Sequence, residues 1–212
     1  MKKLRLNPIL FLFAIIIIAL SSCSKKDSSS ASPQSATPVT IPTELIITVN
    51  DNLGTPVSGA TVELYSSSAD LATRTNAIVS KTTNASGQVI FSSNMSPIKY
   101  YWWAEKGCLN NVAGINSTSG PIVANDNNVI TTMLGKTGTL QMVNNSSNPY
   151  KVYINAVEVF TMNGGSVKYF YYIPEGLPTV RVLQLTGYIL YPTDETFYPG
   201  ITCGNVTTQT FP

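Results

Sequence analysis

The feature that most restricts this chain is the repeated alternation of apolar and polar residues in short runs, each run closed by a cluster of turn-forming residues. Leu45, Ile47 and Val49 alternate with Ile46 and Thr48; Ala60, Val62 and Leu64 alternate with Thr61 and Glu63. A period of two is the pattern of a strand with one face buried. Between such runs lie Asp51-Asn52-Leu53-Gly54-Thr55-Pro56 and Asn84-Ala85-Ser86-Gly87. Asp and Asn tolerate turn geometry, Gly supplies positive φ, and Pro fixes the exit. Further strands are expected at Val89–Phe91, Tyr100–Ala104 and Val129–Leu134. After residue 136 the pattern resumes at Thr139–Val143, Tyr150–Ile154, Val157–Val159, Val167–Ile173, Val180–Val182 and Val206–Phe211. No stretch beyond the amino terminus carries the 3.6-residue period of an amphipathic helix. The fold class expected is all-β: two small β-sandwich domains in tandem, over 43–135 and 136–212.

The amino terminus follows other rules. Met1-Lys2-Lys3-Leu4-Arg5 is cationic, and an apolar run extends from Ile9 to Leu20. A cationic start before a short apolar core is the layout of a secretory signal peptide. The run is about a dozen residues, whereas a helix needs roughly 20 to cross a bilayer. It ends in Leu20-Ser21-Ser22-Cys23, which resembles the lipobox of bacterial lipoproteins. That resemblance implies removal of residues 1–22, acylation of Cys23, and attachment to a membrane by lipid. Two or three acyl chains hold firmly where one does not. Residues 23–42, rich in Ser, Thr, Ala and Pro, bury too little to offset their ordering entropy and read as a tether. This composition is similar to that of Bacteroidetes lipoproteins and favours the outer membrane, on its periplasmic face or at the cell surface.

Charge excludes one class of partner. Five of the 13 Lys and Arg residues, and one of the 11 acids, fall within residues 1–42, leaving eight bases against ten acids in 43–212. That remainder is near −2, with no basic stripe for a phosphate backbone, so nucleic acid is not an expected partner. Charged residues are 11% of the chain, against a usual share of about 25%. Asn, Ser, Thr and Tyr fill the surface instead, a mild pointer to neutral ligands.

Reactive groups are scarce. The chain has no histidine, which removes the commonest general base and metal ligand and rules out a Ser-His-Asp or Cys-His unit. Adjacent Asp194 and Glu195 point to opposite faces of a strand. Asn125-Asp126-Asn127-Asn128 reads as a polar turn. No enzyme activity, cofactor or metal is expected. With Cys23 assigned to lipid, Cys108 and Cys203 remain; they form either a disulfide joining the two modules or two buried thiols. The aromatic runs Tyr100-Tyr101-Trp102-Trp103 and Tyr169-Phe170-Tyr171-Tyr172 place rings on both faces of their strands. Tyr101, Trp102, Trp103 and Tyr172 are candidate ligand-binding aromatics for stacking on sugar rings or anchoring a protein; packing between sheets or modules is the other reading.

Two resemblances add to this. Gly54-Thr55-Pro56-Val57-Ser58-Gly59-Ala60-Thr61-Val62-Glu63-Leu64, followed by Thr82-Thr83-Asn84-Ala85-Ser86-Gly87-Gln88-Val89-Ile90-Phe91, resembles the carboxypeptidase regulatory-like domains. These are transthyretin-like sandwiches related to the Cna-B repeats. The resemblance implies a structural pattern of turn glycines and core alternation, with no active site. Some Cna-B relatives carry a Lys–Asn crosslink; the strand Thr43 to Asn50 has no lysine to supply one. In the second module, Val152-Tyr153-Ile154-Asn155, Pro174-Glu175-Gly176, Val180-Arg181-Val182 and Gly187-Tyr188 resemble the PEGA domain. Ala156 stands where that family usually has glycine. Both resemblances imply a non-catalytic envelope module whose partner is a protein or a glycan.

Overall fold

The computed structural model describes residues 41–92 and 95–212. Residues 1–40, which hold the expected signal segment, Cys23 and all but the last two residues of the expected tether, lie outside the described residues. Strand β1 (Glu44–Asp51) realises the alternation: Leu45, Ile47 and Val49 are fully buried and Ile46 and Thr48 half-buried. The Asp51 turn is closed by its own carboxylate, which accepts from the backbone N–H of Leu53 (2.9 Å) and Thr55 (2.8 Å), with Gly54 at φ 81°. After it come β2 (Thr61–Tyr65), the six-residue helix α1 (Ser68–Thr73), β3 (Val79–Thr82), β4 (Gln88–Phe91), β5 (Tyr101–Lys106) and β6 (Leu109–Asn110).

Strand β7 (Asn127–Asn144) decides the architecture. At 18 residues and about 3.3 Å each, it is far longer than its neighbours. Its first part pairs in parallel with β1, from Glu44↔Asn127 to Asp51↔Leu134. Gly135 and Lys136 pair with β6. Its last part pairs with β10 (Val167–Pro174), antiparallel, and with the final strand β13 (Val206–Phe211), parallel. The fold is all-β, as the alternation predicts, but the separate strands expected at 129–134 and 139–143 are one. In the structure Gly138 marks a close approach: a Cβ there would strike the Thr202 carbonyl oxygen and lie 2.9 Å from Ile201 Cγ2.

Two cores flank this spine. In the first, Leu45, Ile47, Val49, Val89 and Phe91 from β1 and β4 meet Val62, Leu64, Trp102 and Ala104 from β2 and β5. In the second, Leu140, Met142 and Phe211 meet Tyr150, Val152, Met162, Val180 and Val182. The latter come from the four-stranded sheet of β8 (Tyr150–Ile154), β9 (Val157–Met162), β11 (Val180–Gln184) and β12 (Asp194–Phe197), ordered β12-β11-β8-β9. Tyr150 meets Phe211 edge-on at 5.1 Å across that core.

A disulfide ties the halves a second time. Cys108, in the turn between β5 and β6, is bonded to Cys203, in the turn before β13, with Cα atoms 5.5 Å apart. β7 sets this meeting. The Thr137 N–H donates to the Cys108 carbonyl (2.9 Å), and the Thr137 carbonyl accepts from the Gly204 N–H (3.0 Å). Both cysteine turns are thereby hung on one residue of the shared strand.

Candidate binding site

Of the four aromatics singled out in the sequence, two must be withdrawn as open ligand platforms. Trp102 has no exposed surface and packs in the first core. Trp103 lies on the opposite face of β5 but is only 8% exposed. The cause is a covering that alternation alone does not reveal. Helix α1 and the loop after it lie over this face, and Arg74 places its guanidinium 4.7 Å from the Trp103 ring centroid. Tyr172 meets the same ring edge-on at 5.0 Å. Tyr101 is half-buried, with Lys99 Nζ 5.3 Å above its ring. The structure thus brings Trp103 and Tyr172 together, and leaves Trp102 and Tyr101 elsewhere.

The Trp103–Tyr172 contact depends on a bulge in β10. Phe170 pairs with Leu140 and Ile173 with Gly138, so three steps on β10 match two on β7. One extra residue is accommodated, and Tyr172 takes φ 61°. Phe170 and Ile173 both stay packed on the second core, while Tyr171 and Tyr172 are both left on the outside. A run of four aromatic residues does not announce a bulge, and this is why pattern reading missed the geometry.

Around Trp103 sits an ionic cluster also not foreseen. Arg74 Nη2 reaches Glu105 Oε1 at 3.2 Å and Glu63 Oε2 at 3.5 Å, and Arg74 Nη1 donates to the Tyr172 hydroxyl at 2.7 Å. Trp103 Nε1 donates to Glu105 Oε2 at 2.6 Å. Register brings the acids here: Glu63 pairs with Trp103, and Thr61 with Glu105. Burial opposes the Arg74 charge, but Glu105 and Glu63 outweigh it, and its pKa is raised further. Arg74 thus bonds Tyr172 of β10 on one side and Glu63 and Glu105 of the first sandwich on the other, and clasps the two together.

The buried Tyr65 hydroxyl donates to Glu63 Oε2 at 2.7 Å. Burial, then the hydrogen bond and charge of Glu63, push its pKa from 10.0 up to about 12. A folded-state pKa above the unfolded value means the contribution is fully present below pH 10 and is lost as pH rises towards 12. We expect stability to fall over that window, and Tyr65→Phe to flatten the fall. Thermal midpoints of both proteins between pH 9 and 12 check this; equal slopes would contradict it.

Beyond the clasp the aromatic strip continues into the open. Tyr172 is 6.5 Å from Tyr171, and Tyr171 is 6.3 Å from Tyr169 with the two rings within 15° of parallel. Tyr171 and Tyr169 are 65% and 49% exposed. They stand on the outer face of the β10-β7-β13 sheet. There the Thr208 hydroxyl donates to Gln141 Oε1 (2.8 Å), and Gln141 Nε2 donates to the Tyr169 hydroxyl (2.9 Å). Sequence alternation puts Val167, Tyr169, Tyr171 and Ile173 on one face; the first three share it, but the bulge after Phe170 turns Ile173 into the second core, and the Gln141 and Thr208 positions needed the sheet register.

Among the described residues, no group of three or more Cys, Asp and Glu is placed to hold a metal ion. Asn125–Asn128 is tied to its neighbours: Asn128 Oδ1 accepts from the Val123 N–H at 2.7 Å, and the Asn125 N–H donates to the Thr43 hydroxyl at 2.8 Å. Asp194 is held by Arg181 through two bonds of 2.7 and 2.6 Å.

No protein-family model matches the chain, and no curated protein does. Solved structures do show similarity. One is a streptococcal ancillary pilin, at 12% identity and TM-score 0.37, over 81% of this chain and 63% of that one. Another is the Bacillus anthracis TIE protein, at 13% identity and TM-score 0.29, over 81% of this chain and 34% of that one. The shaft pilin SpaA of Lactobacillus rhamnosus GG is similar at 8% identity and TM-score 0.33, over 81% of this chain and 98% of that chain. This chain therefore spans less than two thirds of the first two proteins.

Proposed function

We propose that this chain is a non-catalytic envelope lipoprotein, held to the outer membrane by lipid on Cys23. Its regulatory-like and PEGA-like β-modules form one stiff body for binding or assembly at the envelope. The observation that carries the reading is the double linkage of the halves: one continuous strand, β7, and one disulfide, Cys108–Cys203. A body locked in this way keeps its surfaces in a set relation to one another. It suits presentation of a surface more than cycles of opening around a reacting substrate. The absence of histidine from the sequence supports the same reading.

Cys23 carries the only covalent chemistry in this proposal beyond the disulfide. Cells fed an alkyne fatty acid should label the wild-type protein, and Cys23→Ser should lose the label and be either released or stranded with its signal segment uncut. A labelled, membrane-bound Cys23→Ser protein would refute the anchor. Substrate turnover by the purified protein would refute the non-catalytic reading.

A further inference from the structure

The outer face of the β10-β7-β13 sheet has an unusual composition. Register aligns it in rows. Val167, Val143 and Thr210 form one row, and Tyr169, Gln141 and Thr208 form the next. Thr139 and Val206 are paired in a third row, with Tyr171 standing beyond Tyr169 on β10. None of these side chains is ionisable at neutral pH, in a surface that elsewhere carries lysines and carboxylates. The one lysine of β10, Lys168, points away, with Nζ 5.1 Å over the Phe160 ring. At the near end of the strip, Arg74 is paired with both Glu63 and Glu105, so the one net negative charge of that cluster is held in ion pairs beside Trp103 rather than on this face.

We infer that this face binds an uncharged oligosaccharide chain, lying along Tyr169 and Tyr171 and hydrogen-bonded to Gln141 and Thr208. The inference deepens the proposed function and rests on it only for access to envelope glycans.

Three observations favour this occupant. Nearly parallel rings turn their faces the same way, so one extended ligand can meet both with its apolar C–H surfaces. At a centroid spacing of 6.3 Å the rings form a loose offset stack, and about half of Tyr169 and two thirds of Tyr171 stay open to a ligand. The centre of the patch is polar, whereas a protein-binding patch gathers its apolar bulk at a centre from which water is excluded. An apolar partner pressed onto Gln141 would bury its second amide hydrogen and the Tyr169 hydroxyl proton unpaired, which is costly. A sugar hydroxyl both donates and accepts, and so satisfies each of them. The relay from Thr208 through Gln141 to Tyr169 also holds the amide in one orientation before any ligand arrives, which lowers the entropy lost on binding.

The test uses the full chain in a sugar-free detergent. Cellohexaose, laminarihexaose and xylohexaose are titrated separately, with tetragalacturonate as the charged comparison. Tyrosine and tryptophan fluorescence is the readout. Saturable binding of at least one neutral hexaose is expected, unchanged between about 50 and about 500 mM salt. Tyr169→Ala and Tyr171→Ala should each weaken it on the order of tenfold. Both side chains are exposed, so thermal midpoints should hold. Gln141→Leu should weaken binding while leaving the tyrosines in place, and Tyr101→Phe should not alter it. The proposal is overturned if none of the three neutral sugars binds, or if binding survives loss of both tyrosines. It is equally overturned if tetragalacturonate is preferred, or if the face instead mediates a dimer that Tyr171→Ala abolishes. Loss of acylation in Cys23→Ser leaves this titration unaffected, so the two proposals fail separately.

Discussion

Trp102→Ala is expected to destabilise the protein by about 3–5 kcal/mol, the range for removing a large aromatic from a packed core. Trp102 is fully buried, opposite Leu64 in the β2–β5 pair, within the cluster that holds Leu45, Ile47 and Phe91. For a chain of this length that corresponds to a fall of roughly 10 °C or more in the thermal midpoint. Trp102→Phe is the informative companion. Trp102 Nε1 is buried and finds no acceptor among the described residues, so the phenylalanine variant loses volume but no hydrogen bond. It should cost clearly less than the alanine variant. Denaturant unfolding of the three proteins measures this. An alanine variant as stable as wild type would place Trp102 at a surface and overturn the burial of this face of β5.

Loss of the Cys108–Cys203 bond is expected to be almost as damaging. The bond spans 95 residues of sequence, and closing so long a loop removes much of the unfolded chain's freedom. The chain-entropy argument gives about 4–5 kcal/mol for such a loop, and loss of a native disulfide typically costs about 2–5 kcal/mol. Reduction, or the double variant Cys108→Ala with Cys203→Ala, should lower the thermal midpoint by roughly 10 °C. Far-ultraviolet dichroism at room temperature should remain that of a β protein, since β7 still pairs both halves. Thiols that resist labelling before reduction and react fully after it would confirm the pairing. Midpoints that stay equal after complete reduction would contradict the expected stabilisation.

The strands of the first half were the most legible part of the chain. Leu45, Ile47 and Val49, or Val62 and Leu64, sit where period-two reading places them, because one buried face is a local consequence of alternation. The turns at Asp51 and Asn84 were legible for a similar reason. In each, a short polar side chain bonds the backbone within four residues. The aromatic runs were half-legible. Alternation correctly separates Trp102 from Trp103, but it cannot say which face is covered, and here both are. The second face is hidden by α1, Arg74 and Tyr172, the last of them 69 positions beyond Trp103 in the chain.

By itself the sequence determined the all-β class, the places of most strands and the short list of reactive groups. Each of these follows from interactions within a few residues, or from residue types that are simply missing. Only the tertiary structure decided that residues 127–144 run as one strand, that Cys108 meets Cys203, and that the bulge at Tyr172 turns its ring onto Trp103. Only the register of three strands from three parts of the chain put Gln141 and Thr208 beside Tyr169. Such pairings are set by long-range strand partners, whose identity no local run of residues encodes.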